Sequence, residues 1–147
     1  MAEQPFTIVE EIVAPGEPGS QYHLVDYQTQ ELVSTLWSTY LAKAQEGLAP
    51  TSVHPAMRRV SYSLDSECVP GQRLRRAIRV ASRSRRSCTF EATLSHADDG
   101  RVIHAAEMVT VFVDPQSGAV EIPAPFWEAV EKMEGRSIPI AERTPAS

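Results

Sequence analysis

The sequence predicts an α+β fold in which one long helix packs on a single curved antiparallel sheet of about five strands. Three observations carry this expectation. Apolar residues recur with helical spacing in only one long stretch, from about Tyr27 to Gln45. Alternation with a period of two dominates from Val53 onward. Short Gly-, Pro- and Asp-containing turns separate the alternating stretches.

Phe6 to Val13, rich in Ile and Val, is the expected first strand, and Pro15-Gly16-Glu17-Pro18-Gly19-Ser20 ends it. In the helix, Leu32, Val33, Leu36, Trp37, Tyr40, Leu41 and Ala44 form one broad apolar arc. Asp26 or Thr29 is available to cap its start, and Gly47 follows its end. Val53 to Cys68 reads as a long strand bent at Pro55, followed by a turn at Pro70-Gly71-Gln72. Arg73 to Ser84 is the next strand, with Leu74, Ile78 and Val80 on one face and Arg73, Arg75, Arg79 and Arg83 on the other. Ser87 to His96 sets Cys88, Phe90, Ala92 and Leu94 against Ser87, Thr89, Glu91, Thr93 and Ser95, and Ala97-Asp98-Asp99-Gly100 makes a hairpin turn. Val102 to Val113 is apolar on both faces, as a central strand should be. After a turn at Asp114 to Gly118, Pro123 to Gly135 is expected to hold a short helix with Phe126, Trp127 and Val130 inward, and the tail after Arg136 to be loose. The four later strands are expected as an antiparallel meander. The helix must bury its arc on a face of that sheet, and one helix wrapped by one curved sheet is the hotdog arrangement.

The 147 residues, 42% hydrophobic and 22% charged, suit one domain with a sizeable core, and no apolar run reaches the length of a membrane span. Met1 to Pro5 lacks the basic and apolar regions of a secretory signal. Cys68 and Cys88 are too few for a disulfide framework and suit a reducing cytoplasm. His23, His54, His96 and His104 are scattered, so no metal site is expected.

Charge is distributed unevenly. Arg73, Arg75, Arg76, Arg79, Arg83, Arg85 and Arg86 lie within fourteen residues with no Asp or Glu between them. That window carries +7, which leaves −12 for the remainder of a chain whose net charge is −5. Such gathering points to a local anionic partner. Nucleic acid fits poorly, because the chain is acidic and no aromatic residues interleave with the arginines to stack bases.

Val69-Pro70-Gly71-Gln72-Arg73-Leu74, Arg85-Arg86-Ser87-Cys88-Thr89-Phe90, Asp98-Asp99-Gly100-Arg101-Val102 and Ala105 through Asp114 resemble segments of the hotdog acyl-CoA thioesterases of the 4-hydroxybenzoyl-CoA type. The resemblance covers roughly Val53 to Pro125 and implies hydrolysis of an acyl thioester of coenzyme A or of an acyl carrier protein. It implies a homodimer or homotetramer, and no cofactor beyond the CoA or phosphopantetheine of the substrate. It also implies that Arg83, Arg85 and Arg86, at a turn between strands, meet the phosphates of CoA, which arginine grips bidentately. The alternative for the arginines is pairing with acidic faces of neighbouring subunits, such as Asp65, Glu67, Glu91 or Glu107. Hotdog domains also serve as lyases acting on enoyl or 3-hydroxyacyl thioesters and as non-catalytic binding modules.

Hydrolysis needs a nucleophile or base and donors for the developing oxyanion. The loop Gln21 to Tyr27 leads into the helix N-terminus, whose free N–H groups are such donors. Asp26 is the first candidate carboxylate, with His23 orienting or polarising the carbonyl; the plain alternatives are a helix cap and a loop histidine. A resemblance to another branch of hotdog thioesterases, in which a carboxylate follows a His and a Ser or Thr comes one turn later, implies Glu31 as a second candidate. Glu31 follows His23, has Thr35 one turn later, and lies on a stripe that otherwise reads as a solvated face. Glu17 is a third, implied by the resemblance of Glu17-Pro18 to the Asp-Pro pair that follows the family's first strand, in what otherwise reads as a surface turn. His104 reads as a satisfied core histidine, His96 borders a hairpin turn, and Trp37 and Trp127 read as core or interface aromatics.

Overall fold

The computed structural model describes residues 6–49 and 51–141. Its elements are β1 (Ile8–Val13), α1 (Asp26–Gln45), β2 (His54–Leu64), β3 (Arg73–Arg83), β4 (Ser87–His96), β5 (Val102–Asp114), β6 (Gly118–Val120) and α2 (Ala124–Glu134). The strands form one antiparallel sheet in the order β1-β3-β4-β5-β2, with β6 adding to the end of β5. One long helix on such a sheet is the hotdog arrangement expected above.

The meander holds for β3, β4 and β5 but not for β2. β1 and β4 occupy the two edges of β3, Ile8 opposite Ile78 and Val80 opposite Phe90. β2 therefore crosses to the far side and pairs with β5, from His54 opposite Val113 to Leu64 opposite His104. Its irregularity is a bulge between Met57 and Arg59, not a bend at Pro55.

The helix arc packs as expected: Val33, Leu36, Tyr40 and Ala44 are fully buried against Leu74, Ile78, Phe90, Leu94 and Met108. Tyr40 meets Phe90 edge-on, with ring centroids 5.1 Å apart. Phe126, Trp127 and Val130 of α2 close the end of the core beside Phe112.

Two departures bear on function. The register of β3 against β4 slips between Val80 and Ser82, making Ala81 an extra residue. Arg83 then lies opposite Cys88 on the helix side of the sheet, rather than beside Arg79 on the outer face as simple alternation requires. The tail is also held further than expected. Ile138 is buried, the Arg83 N–H donates to the Pro139 carbonyl at 2.9 Å, and the Ala141 N–H donates to the Arg83 carbonyl at 2.8 Å. Residues 142–147 lie outside the described residues.

The loop between β1 and α1 is pinned to the turn before β3. The Ala14 N–H donates to Gln72 O at 2.8 Å, and the Leu24 N–H donates to Cys68 O at 2.7 Å. Gly71, at φ +92°, sits so close to Pro18 that an added Cβ would lie 3.1 Å from its Cγ. These contacts set the approach of residues 21–25 to the helix.

Candidate active site

A cleft of about 450 Å³ opens where α1 begins. His23, Asp26 and Thr29 line one side of it, and Leu64, Asp65, Glu67, Cys68 and Ile103 the other. Neither expected residue caps the helix. The cap position is Val25, whose N–H donates to Gln28 Oε1 at 3.0 Å, and Asp26 is the first helical residue. The N–H groups of Asp26 and Tyr27 have no acceptor among the described residues, so they remain available at the positive end of the helix dipole.

The Asp26 carboxylate is exposed, and its Oδ2 accepts the Tyr62 hydroxyl proton at 2.9 Å. His23 Nδ1 lies 2.9 Å from the Leu24 carbonyl, which can only accept, so Nδ1 carries the proton. Its Nε2 faces Glu67 Oε1 at 3.9 Å. Asp26 and His23 thus share one cleft. Glu31 does not join them: it is exposed on the outer face of α1, where its neighbour Thr35 accepts from Arg76 Nη1 at 2.7 Å. Glu17 is exposed in the turn after β1.

Behind the cleft, His104 is fully buried and bonded at both ring nitrogens, as a satisfied core histidine should be. Nδ1 lies 2.8 Å from Thr29 Oγ1 and Nε2 lies 2.7 Å from Gln30 Oε1, while Tyr62 stacks on the ring with centroids 4.7 Å apart. Burial lowers its pKa from the ordinary 6.5, against the opposing charges of Asp26 and Asp65. The folded state therefore prefers the neutral ring. The unfolded chain takes up a proton first as pH falls, so this contribution to stability is whole above about 6.5 and declines below it. Denaturant midpoints should fall between pH 7 and 5.5 in the wild type and less steeply in His104→Gln.

The arginines divide as follows. Arg73 pairs with Glu11 at 2.6 Å and Asp98 at 2.9 Å, Arg76 with Glu10 at 3.3 Å, and Arg79 with Glu91 at 2.8 Å, all across neighbouring segments of this chain. Glu91 is thus engaged within the chain. Arg83 and Arg85 line a second cleft of about 540 Å³ with Glu121, Pro123, Trp127 and Ile140. The Arg83 guanidinium stacks on Trp127, 4.3 Å from the ring centroid, and Arg85 lies 3.3 Å from Glu121. Arg86 is exposed at the adjoining turn, outside the lining residues. This cleft is at the opposite end of the sheet from Asp26. Leu74 to Arg83 is nine residue steps along β3, about 30 Å at 3.3 Å each. A single chain does not bring the two residue sets together.

Sequence reading overlooked Tyr62 and the side-chain role of Thr29. The available signal was weak: Tyr62 alternates with Val60 and Leu64 like any strand aromatic. Among the described residues no cluster of His, Cys, Asp and Glu is placed to hold a metal, and no helix is long and apolar enough to cross a membrane.

No protein-family model and no curated protein matches the chain. Solved structures do. The PA5185 protein from Pseudomonas aeruginosa superposes with a TM-score of 0.73 at 20% identity, over 90% of this chain and 94% of that one. The chain has the hotdog fold. A thioesterase from Thermus thermophilus, solved with coenzyme A and Zn, gives 0.73 at 14% identity over 92% and 100% of the two chains. The 1,4-dihydroxy-2-naphthoyl-CoA thioesterase from Synechocystis gives 0.69 at 14% over 83% and 93%.

Proposed function

We propose that this protein hydrolyses an acyl thioester of coenzyme A or of a carrier protein, with Asp26 as general base. The observation that carries the reading is the carboxylate at the first position of α1, in a cleft beside two unsatisfied N–H groups. Similarity in fold to the thioesterase structures supports it. Water bound to Asp26 loses a proton to the carboxylate as its oxygen attacks the thioester carbon. The oxyanion faces the Asp26 and Tyr27 N–H groups. As the tetrahedral intermediate collapses, the C–S bond breaks and the proton passes to the departing sulfur. His23 orients the carbonyl from the loop.

The reading includes a homodimer joined along β2. β2 is an eleven-residue edge strand, and its helix-side residues Val60, Tyr62 and Leu64 remain exposed at 36%, 43% and 55%. That apolar stripe and the open edge suit a second copy. Antiparallel pairing sets each Leu64 end beside the partner's His54 end, which is the end carrying Arg83, Arg85 and Arg86. An acyl-CoA lying across the junction then meets Asp26 of one subunit and the arginines of the other.

The experiment is a panel of acyl-CoAs and acyl carrier proteins read by thiol release. Hydrolysis of at least one is expected, and release from none would sink the reading. A cleft holding both His23 and Asp26 also meets the requirement of a hotdog lyase. Conversion of an enoyl-CoA to its hydrated product without thiol release would favour that reading instead. Neutralising Arg83, Arg85 and Arg86 together is expected to raise KM for CoA substrates and flatten its salt dependence while kcat stays near wild type. An unchanged KM would remove the arginines from the substrate site.

A further inference from the structure

We infer that Tyr62 is a positioning residue for this reaction: its hydroxyl holds the Asp26 carboxylate while its ring rests on His104. The inference rests on the reading of Asp26 as the base. A side chain at the first helical position is otherwise free to swing, and an aspartate there can fold back onto the N–H groups of its own helix. Here it does not. Oδ2 is drawn toward β2 by the Tyr62 hydroxyl at 2.9 Å, the sole side-chain hydrogen bond of Asp26 among the described residues. One carboxylate oxygen is thereby fixed. The other is left for water, and the Asp26 and Tyr27 N–H groups are left for the substrate carbonyl.

Tyr62 is itself held. Its ring lies nearly parallel to His104, at 15°, and His104 is tied at both nitrogens to Thr29 and Gln30, three and four residues after Asp26. A closed circuit results, running from α1 through β5 and β2 back to α1. Edge strand, central strand and helix start cannot shift independently without breaking one of these contacts. The charged and titratable groups facing this circuit are His23, Asp65 and Glu67 across the cleft. The hydrogen bond and the negative charge of Asp26 both raise the Tyr62 phenol pKa above its ordinary 10.0, which supplies a direct readout of the contact.

The test combines Tyr62→Phe, Asp26→Asn and the double variant. Tyr62→Phe keeps the ring stack and removes only the donor. It is expected to lower kcat about 10- to 100-fold, the order of one charge-assisted hydrogen bond, with KM unchanged. It should add little to Asp26→Asn. Ultraviolet titration, with Tyr62→Phe identifying the transition, should find the phenol ionising at lower pH in Asp26→Asn than in the wild type. Wild-type kcat in Tyr62→Phe, or the same fold loss in both backgrounds, would overturn the inference. So would identical phenol titrations in the wild type and Asp26→Asn. If Asp26→Asn retains full turnover, the parent reading fails. A changed phenol titration would then mark the contact as purely architectural, and the positioning role would fail with it.

Discussion

Asp26→Asn is expected to lower kcat by about two to four orders of magnitude, the contribution of a positioned general base, with KM little changed. Glu31→Gln should remain within a few fold of wild type. The contrast follows from placement. Asp26 lines the cleft at the helix start, whereas Glu31 stands on the exposed face of the same helix. Steady-state kinetics on the best substrate from the acyl-thioester panel decide it. Comparable loss in both variants, or in neither, would remove Asp26 as base. A loss confined to Glu31→Gln would place the chemistry on the outer helix face, under a partner subunit.

The largest effect on stability is expected at Glu134. Its side chain is 1% exposed and lies 3.3 Å from Arg136. It also accepts the Tyr40 hydroxyl at 2.5 Å and the Val80 N–H at 3.0 Å, and Arg136 in turn donates to the Val80 carbonyl. Breaking a buried pair by neutralising one member costs about 3–5 kcal/mol, because the other charge is stranded. For a chain of this length Glu134→Gln should lower Tm by about 10 °C in calorimetry. Replacing Arg136 with Met in the same molecule should restore part of the loss, since no unpaired charge then remains. Restoration of nothing would mean that the bonds to Tyr40 and Val80, not the ion pair, dominate. Val80 is also where the β3 register slips. Loosening this anchor should therefore disturb Arg83 and raise KM for a CoA substrate.

What could be read from the residues alone has a physical boundary. Element type was legible wherever one face is buried, because the periods of 3.6 and 2 are imposed by burial. The α1 arc and the strict alternation of Ser87 to His96 show this. Partner choice among strands was not. Nothing in Val53 to Cys68 states that β2 belongs beside β5, since β1 takes the place next to β3 from sixty residues away. A single extra residue at Ala81 was equally silent, yet it turned Arg83 from the outer face onto Trp127. The cleft was half legible. His23 and Asp26 are neighbours in sequence and announced themselves, while Tyr62 and His104 arrive from strands whose pairing had to be known first. The arginine cluster was conspicuous by its charge. Only geometry showed that Arg73, Arg76 and Arg79 are engaged by Glu11, Asp98, Glu10 and Glu91.

The position of β2 has a bearing on how the molecule acquires its shape. β3, β4 and β5 join through short turns and can zip together locally, with little loop-closure entropy to overcome. β1 and β2 must close loops of some forty to sixty residues before their contacts give any return. The cleft takes Asp26 from the start of α1, Tyr62 from β2 and His104 from β5, so it depends on the long-range closure of β2 onto β5 and not on the meander alone. A nascent or partly folded molecule would carry an ordered meander without the cleft at the start of α1. The cleft would be complete only when the crossing strand docks.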